Sequence, residues 1–326
     1  MTRPTELPAT AEPAGLSPAV ADSDRTARRL AYVTVCVPAL GFVAAVLYSF
    51  RYGFTLTDGV LLGGMYLVTA LGVEGGLHRF FSHRAFAARP VVTVLWGVAG
   101  SMAAQGPIVF WVATHRIHHA FTDTDRDPHS PRPVGDGRLA WLRGLWHGHV
   151  GWLFTVRRTN WSKQVSDLMA DRTVMKVNEL YFVWVLLGLA IPAVLGGLLT
   201  WSVGGALSGL LWGGLARIFL LDQATWGVNS LGHTLGSRPY RTRDNSRNIA
   251  PLAPFSVGGS WHNNHHARPS LATTRHVFWQ IDLTGTFITL LDRVGLVQDV
   301  RYPKPRAGSG TKGTGAQHVD SRIRGR

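Results

Sequence analysis

The sequence predicts an all-α integral membrane protein, with four transmembrane helices carrying a cytosolic helical cap. Three observations predict it. Hydrophobic residues make up 46% of the 326 residues and charged residues only 16%, against roughly 25% charged in ordinary soluble domains. The apolar residues gather into four runs of about 20, the length a helix needs to cross a hydrocarbon core. Lys and Arg collect at alternate ends of those runs, which fixes an orientation.

Residues 1–28 are rich in Pro, Ala and Ser and predict a disordered cytosolic tail. No basic stretch leads straight into an apolar core at the start, so no signal peptide is expected. Residues 29–300 form the membrane domain. Its spans are expected at about 30–50, 60–77, 180–200 and 207–228, with the cap made of 78–178 and 229–300. The run 91–112 is apolar too, but Gly106-Pro107 breaks it. Residues 91–104 therefore predict a short helix lying on or partly in the membrane. "WSVGG" is long enough only for a turn between the last two spans. Residues 301–326 predict a flexible basic tail.

Orientation follows from the charges. Arg25, Arg28 and Arg29 precede the first span, and Arg79, Arg84 and Arg89 follow the second. Arg172 and Lys176 precede the third; Arg238, Arg241 and Arg243 follow the fourth. The opposite loops carry Arg51 alone. Four spans with both termini cytoplasmic satisfy the positive-inside rule; a fifth span at 91–112 would break it.

The formal net charge of +14 fits anionic lipid and topology control better than nucleic acid, for which no motif stands out. The single Cys, Cys36, excludes an intrachain disulfide and any multi-thiolate metal or Fe–S site. It reads as a small hydrophobe in a helix.

The chain has fourteen His, all predicted at or beyond the cytoplasmic ends of the spans. "HRIHH" supplies His115, His118 and His119; "HNNHH" supplies His262, His265 and His266. Positions i, i+3 and i+4 share a helix face, so each motif is expected to aim three imidazoles at one point. "HRFFSH" gives His78 and His83. Five positions apart, they differ by roughly 140° around an ideal α-helix and share a site only if the helix ends or bends between them. His233 lies just past the fourth span, four residues after Asn229. His129, His147, His149, His276 and His318 read as ordinary surface or interface residues. Neutral imidazole suits Zn, Cu, Fe and Ni. Eight or nine rings are too many for one metal and suit two. Two metals with open positions, beside a membrane, point to iron activating oxygen against an apolar substrate.

"HRFFSH", "HRIHH" and "HNNHH", in that order and separated by membrane hairpins, resemble the three histidine boxes of membrane fatty-acid desaturases. The HxxxxH first box resembles the Δ9 acyl-CoA (stearoyl-CoA type) branch. "HRIHHAFTDTDRDPHS", "HVGWLF" and "WGVNSLGHTLGSRPY" extend the resemblance over roughly 60–290. It implies a di-iron enzyme that introduces a cis double bond into a saturated acyl chain, using O2 and two electrons. The iron ligands it implies are His78, His83, His115, His118, His119, His233, His262, His265 and His266, with Asn229 acting through water. Asp123 and Asp127 follow the second box and are expected to orient ligand rings. Trp152, Trp226 and Trp261 are expected to line an acyl channel. Two departures stand out. Glu74 occupies a position where such enzymes often have Thr, one turn before His78, where it is expected to pair with an Arg or orient His78. "GGSWH" replaces Gly-Glu-Gly-Trp-His, which leaves Gly259 without a carboxylate.

No GxGxxG fingerprint or CxxCH haem site is present, so no bound NAD, flavin or haem is expected. Electrons are then expected from a separate ferredoxin or cytochrome b5 with its reductase, and a basic cytosolic face suits an acidic donor and the phosphates of an acyl-CoA. A hydroxylase or acetylenase on the same scaffold, or an acyl-lipid desaturase, would share these motifs. A metal transporter would place its polar ligands near the bilayer midplane instead.

Overall fold

The computed structural model describes residues 18–155 and 161–303, with side chains described from residue 25 onward. The disordered tail expected at 1–28 falls partly outside these residues, as does most of the tail at 301–326, His318 included. From Pro18 onward the chain is already helical.

Four helices are long and apolar enough to cross a membrane. They are α1 (Pro18–Tyr52), α2 (Leu56–Ser82), α7 (Tyr181–Thr200) and α8 (Val203–His233). Between them lie α3 (Pro90–Ser101), α4 (Ile108–Phe121), α5 (Ala140–His149) and α6 (Arg172–Glu179). After α8 come the short ligand-bearing helix α9 (His262–Ala267) and α10 (Leu283–Arg293). The described strands, β1 (Ala87–Ala88) and β2 (Val297–Gln298), pair antiparallel and tie the C-terminal end to the segment after α2.

The four spans are not equivalent. In their most apolar windows, α2 and α8 are each 50% buried, against 22% for α1 and 17% for α7. The inner pair therefore carries the histidines down toward the cap, while the outer pair presents its apolar surface to lipid. Val37, Leu40, Val43 and Leu47 on α1, and Phe182, Leu186, Leu198 and Leu199 on α7, are exposed. In water such a surface would be a liability; in hydrocarbon it is the required one. The α7–α8 hairpin closes tightly because small residues let the backbones touch. A Cβ at Gly196 would collide with the Gly205 carbonyl, and one at Gly209 with the Pro192 carbonyl. Trp201, left-handed at φ 49°, makes the turn.

Pro90 starts α3 and Pro107 caps the start of α4. The break between them passes through Ala104 and Gly106 at positive φ. Residues 90–101 thus form a short apolar helix rather than a fifth span.

The second span differs most from its sequence reading. It does not stop near Leu77 but runs to Ser82, and its last eleven residues, Gly72–Ser82, form a π-helix. This resolves the His78–His83 angle. Where backbone bonds run i→i+5, residues five apart lie over one another, and His83 N donates directly to the His78 carbonyl at 3.1 Å. Arg79, read from sequence as a loop charge marking orientation, is instead inside this helix and 1% exposed. Burial there is tolerable because Glu74 and Asp282 flank its guanidinium.

Candidate metal centre

Nine buried or half-buried imidazoles meet where α2, α4, α8 and α9 converge, and they divide into two sets. His78, His83, His115, His119 and His265 form one; His118, His233, His262 and His266 form the other. Within each set the candidate ligand atoms all lie within 4.8 Å of one another.

This corrects the expectation that each HxxHH motif aims its rings at one point. His115 and His119 of α4 face the five-ring set, but His118 faces the four-ring set. On α9 the arrangement is reversed, with His262 and His266 in the four-ring set and His265 in the five-ring set. The reason is angular. Residues i+3 and i+4 fall about 60° behind and 40° ahead of residue i around a helix of 3.6 residues per turn. A ring at i+3 therefore diverges from residue i by about 60° and from i+4 by about 100°, enough to reach a second site a few ångströms away. Each helix bridges both sets.

The fit to metal rests on atoms facing inward. Nε2 of His83 lies 2.8 Å from Nε2 of His115, and Nε2 of His265 lies 3.0 Å from those of both His78 and His119. In the other set, Nε2 of His233 and His262 are 2.9 Å apart, and those of His118 and His266 are 3.4 Å apart. Neighbouring nitrogens on a metal with bonds of about 2.1 Å are roughly 3.0–3.4 Å apart. Neutral rings with their lone pairs converging repel one another unless a cation sits among them. Burial, followed by neighbouring positive charge, pushes His83, His115, His119, His262, His265 and His266 well below 6.5. They stay in the neutral, ligating form.

Carboxylates lie behind the rings. Asp127 receives His118 Nδ1 at 3.0 Å, Asp123 Oδ2 receives His233 Nδ1 at 3.1 Å, and Asp244 Oδ2 receives His266 Nδ1 at 2.9 Å. Such partners fix the tautomer so that Nε2 faces the site unprotonated. Burial pushes the Asp123 and Asp127 carboxyls up, but the hydrogen bonds from His233 and His118 outweigh it and hold both at about 2. Asp244 carries no spacing signal. It lies 22 residues before His266 in a loop, and only the fold brings them together. In the five-ring set, Glu74 Oε2 lies 3.0 Å from His78 Nδ1 while Oε1 pairs with Arg79. The two departures noted in the sequence also meet, since a Cβ at Gly259 would lie 2.9 Å from Glu74 Oε2.

The two Asn between the ligands of "HNNHH" anchor α9. Asn248 Oδ1 accepts the backbone N–H groups of Asn263 and Asn264 at 2.9 and 3.2 Å. Asn264 Nδ2 donates to the Thr274 carbonyl and Gln280 Oε1, and Asn263 Oδ1 accepts Tyr240 N–H. A six-residue helix is thereby held rigidly enough to place three rings.

A cavity opens onto the rings. Its wall includes His78, His115, His262, Asn229 and Glu74, together with Phe110, Trp111, Trp152 and Trp226. Trp261 is not in this wall. As the residue preceding α9 it points away, donates Nε1–H to the Ile281 carbonyl at 2.7 Å and packs edge-on against Trp279. His129, read as an ordinary surface or interface residue, is buried in the wall with its ring 4.4 Å from that of His118.

Comparison with known proteins agrees with this architecture. Residues 59–280 match the fatty acid desaturase family. The chain is 42% identical over 269 residues to a hex-5-enoyl-[acyl-carrier protein] acetylenase of Moorena producens (strain JHB), covering 82% of this chain and 84% of that protein. It is 36% identical to Delta-9 acyl-lipid desaturase 1 of Arabidopsis thaliana, covering 73% of each. Against the chloroplastic palmitoyl-monogalactosyldiacylglycerol delta-7 desaturase of the same plant, identity is 35% over 74% of this chain and 61% of that one. Four helices long and apolar enough to span a membrane, paired histidine clusters at the ends of two of them and a match across most of the sequence lead to one assignment: the chain belongs to the fatty acid desaturase family.

Proposed function

We propose that the protein removes two hydrogens from adjacent carbons of a fatty acyl chain at a di-iron centre, consuming O2 and two electrons. The pair of buried histidine clusters opening on one cavity carries this reading. His78, His83, His115, His119 and His265 would hold one iron. His118, His233, His262 and His266 would hold the other, with Asn229 reaching a metal through water. Bound iron supplies oxidising chemistry that no side chain can provide. The chain's own residues do the rest. Asp123, Asp127 and Asp244 orient ligand rings. Phe110, Trp111, Trp152 and Trp226 give the cavity an apolar wall that holds the acyl chain and excludes water.

In this reading the acyl chain arrives as a thioester. Acyl-CoA is the form the first histidine box favours, and an acyl carrier protein is the form in the name of the Moorena relative. The Δ9 position follows the first Arabidopsis relative. A formal net charge of +14 suits an acidic electron donor, a ferredoxin or a cytochrome b5 with its reductase. The Lys and Arg distribution supports a cytoplasmic side for both termini and the clusters.

The test is expression in a host fed defined acyl chains, with mass spectrometry of products and iron analysis of the purified protein. Two irons per chain and a product lighter by two hydrogens are expected. A product heavier by one oxygen would identify a hydroxylase, and protein that takes up no iron on reconstitution would sink the reading. A second reading, acetylenase activity, is favoured by the 42% identity to the Moorena enzyme. Offering a saturated and a hex-5-enoyl thioester side by side separates the two.

A further inference from the structure

We propose that Glu74 is a positioning residue for His78, and that residue 259 is glycine because the Glu74 carboxylate occupies the space a side chain there would fill. The inference rests on the reading of the five-ring cluster as a metal centre.

Three observations carry it. First, Glu74 sits one turn before His78 and its Oε2 lies 3.0 Å from His78 Nδ1, within ion-pair distance but out of line for a hydrogen bond. Among the described residues, His78 is the one ring of the five-ring set within ion-pair distance of a carboxylate. Second, the carboxylate is held from behind. Its Oε1 accepts Arg79 Nη2 and Nε at 3.0 and 3.2 Å. Arg79 is in turn fixed by Asp282, at 2.9 and 3.1 Å, and by the Ala272 carbonyl at 2.8 Å. Asp282 caps α10 through Gly285 N–H. An acid at the end of a membrane span is costly unless paired. Here the Asp282–Arg79–Glu74 chain leaves one net negative charge, presented to His78. Third, both glycines before the third histidine motif clear room for this chain. A Cβ at Gly258 would collide with Asp282 Oδ1, and a Cβ at Gly259 would lie 2.9 Å from Glu74 Oε2 and 3.2 Å from its Cδ.

The two glycines differ in why they are needed. Gly258 has φ of +109°, a conformation that itself favours glycine. Gly259 is not among the positive-φ residues, so nothing in its backbone asks for glycine. The atoms nearest a side chain there are those of Glu74, with the Ser256 carbonyl next at 3.3 Å. A carboxylate could reach the same place from either side, as Glu at 74 or as an Asp at 259. This chain delivers it from the membrane helix, on the residue one turn from the ring it serves.

The test uses the full-length protein in detergent, stripped of metal and titrated with 57Fe(II) against a chelator, with Mössbauer spectra of the loaded forms. Glu74→Gln keeps the shape and removes the charge. It is expected to weaken one of two iron sites by about 10–100-fold, to shift that site's ferrous doublet and to leave the other unchanged. Gly259→Ala is expected to weaken the same site in the parent and to have no further effect in Glu74→Ala. The double variant Glu74→Ala/Gly259→Asp is expected to regain most of the loss, a rescue that a purely structural role would not give. If Glu74→Gln binds both irons as the parent does with an unchanged spectrum, the proposal is wrong. It is equally wrong if Gly259→Ala has the same effect in both backgrounds, a comparison that decides the matter even if Glu74→Gln does not fold. Parent protein that binds a single iron, or none, overturns the metal reading of the clusters and this inference with it; two irons in the parent isolate the role of Glu74.

Discussion

The two histidine clusters lie side by side and share two helices, yet they are built differently. The four-ring cluster is backed by soluble-side carboxylates: Asp127 behind His118, Asp123 behind His233 and Asp244 behind His266. The five-ring cluster takes His78 from the π-helical end of a membrane span and His83 from the residue that caps it, and its carboxylate, Glu74, comes from that same span. One cluster has three carboxylates behind its four rings; the other has one behind its five. Anionic partners raise imidazole basicity, so the four-ring site can hold a dication with fewer ligands. The five-ring site has an additional neutral ring and the single carboxylate Glu74 behind His78.

The largest expected effects come from breaking one cluster and sparing the other. His265 and His266 are adjacent in sequence but belong to different sets. His265→Ala should empty the five-ring site and His266→Ala the four-ring site, each lowering iron from two to one per chain and abolishing product. Distinct residual spectra are the expected signature. Identical spectra for the two variants would dissolve the division into two sites.

Carboxylate removal should be milder and one-sided. Asp244→Asn leaves every ring in place but deprives His266 Nδ1 of its anionic partner. Affinity at the four-ring site should fall by about 10–100-fold in a chelator competition, with the five-ring site unmoved. Equal weakening of both sites would mean that Asp244 acts on the shared helix α9 rather than on one ring.

Acid should act on both clusters when metal is absent, on four rings of the five-ring set and on His262 and His266 of the other. Burial, and then neighbouring charge, pushes His83, His115, His119 and His265 well below 6.5. The unfolded chain takes up protons as pH falls through about 6.5 while the folded cluster refuses them. Stability is therefore full above that value and declines as pH drops below it. Thermal unfolding of the metal-free protein should show Tm falling from pH 7 to pH 5, with a shallower slope in His119→Asn. A flat Tm would mean that the rings accept protons in place.

Much of this was legible in the sequence, for identifiable reasons. Spans and histidine spacings are local properties, and the runs near 30–50 and 180–200 sit inside α1 and α7. The crossing of rings between clusters was not legible, because spacing fixes an angle on one helix but not where the neighbouring helix stands. The π-helix was hidden behind an α-helical assumption, although the awkward five-residue interval of His78 and His83 was its trace. Asp244 gave no signal at all, since a loop residue is placed by tertiary packing. Glu74 and Gly259 were each visible as oddities 185 positions apart, and only their contact makes them one feature.

The smallest expected effect tests what joins the clusters. Helix α9 carries rings of both sets and has only six residues, too short to hold itself in place. Its position depends on Asn248, Asn263 and Asn264, and Asn264 alone bonds Asn248, Thr274 and Gln280. Asn264→Ala strands those buried groups and should destabilise the fold by about 1–3 kcal/mol, read from denaturant or thermal unfolding in detergent. Because the helix moves as a unit, both iron sites should weaken together and by similar factors, unlike any variant at a ring or carboxylate. If one site weakened alone, α9 would not be the rigid bridge between them, and the clusters would have to be placed by α2, α4 and α8 separately.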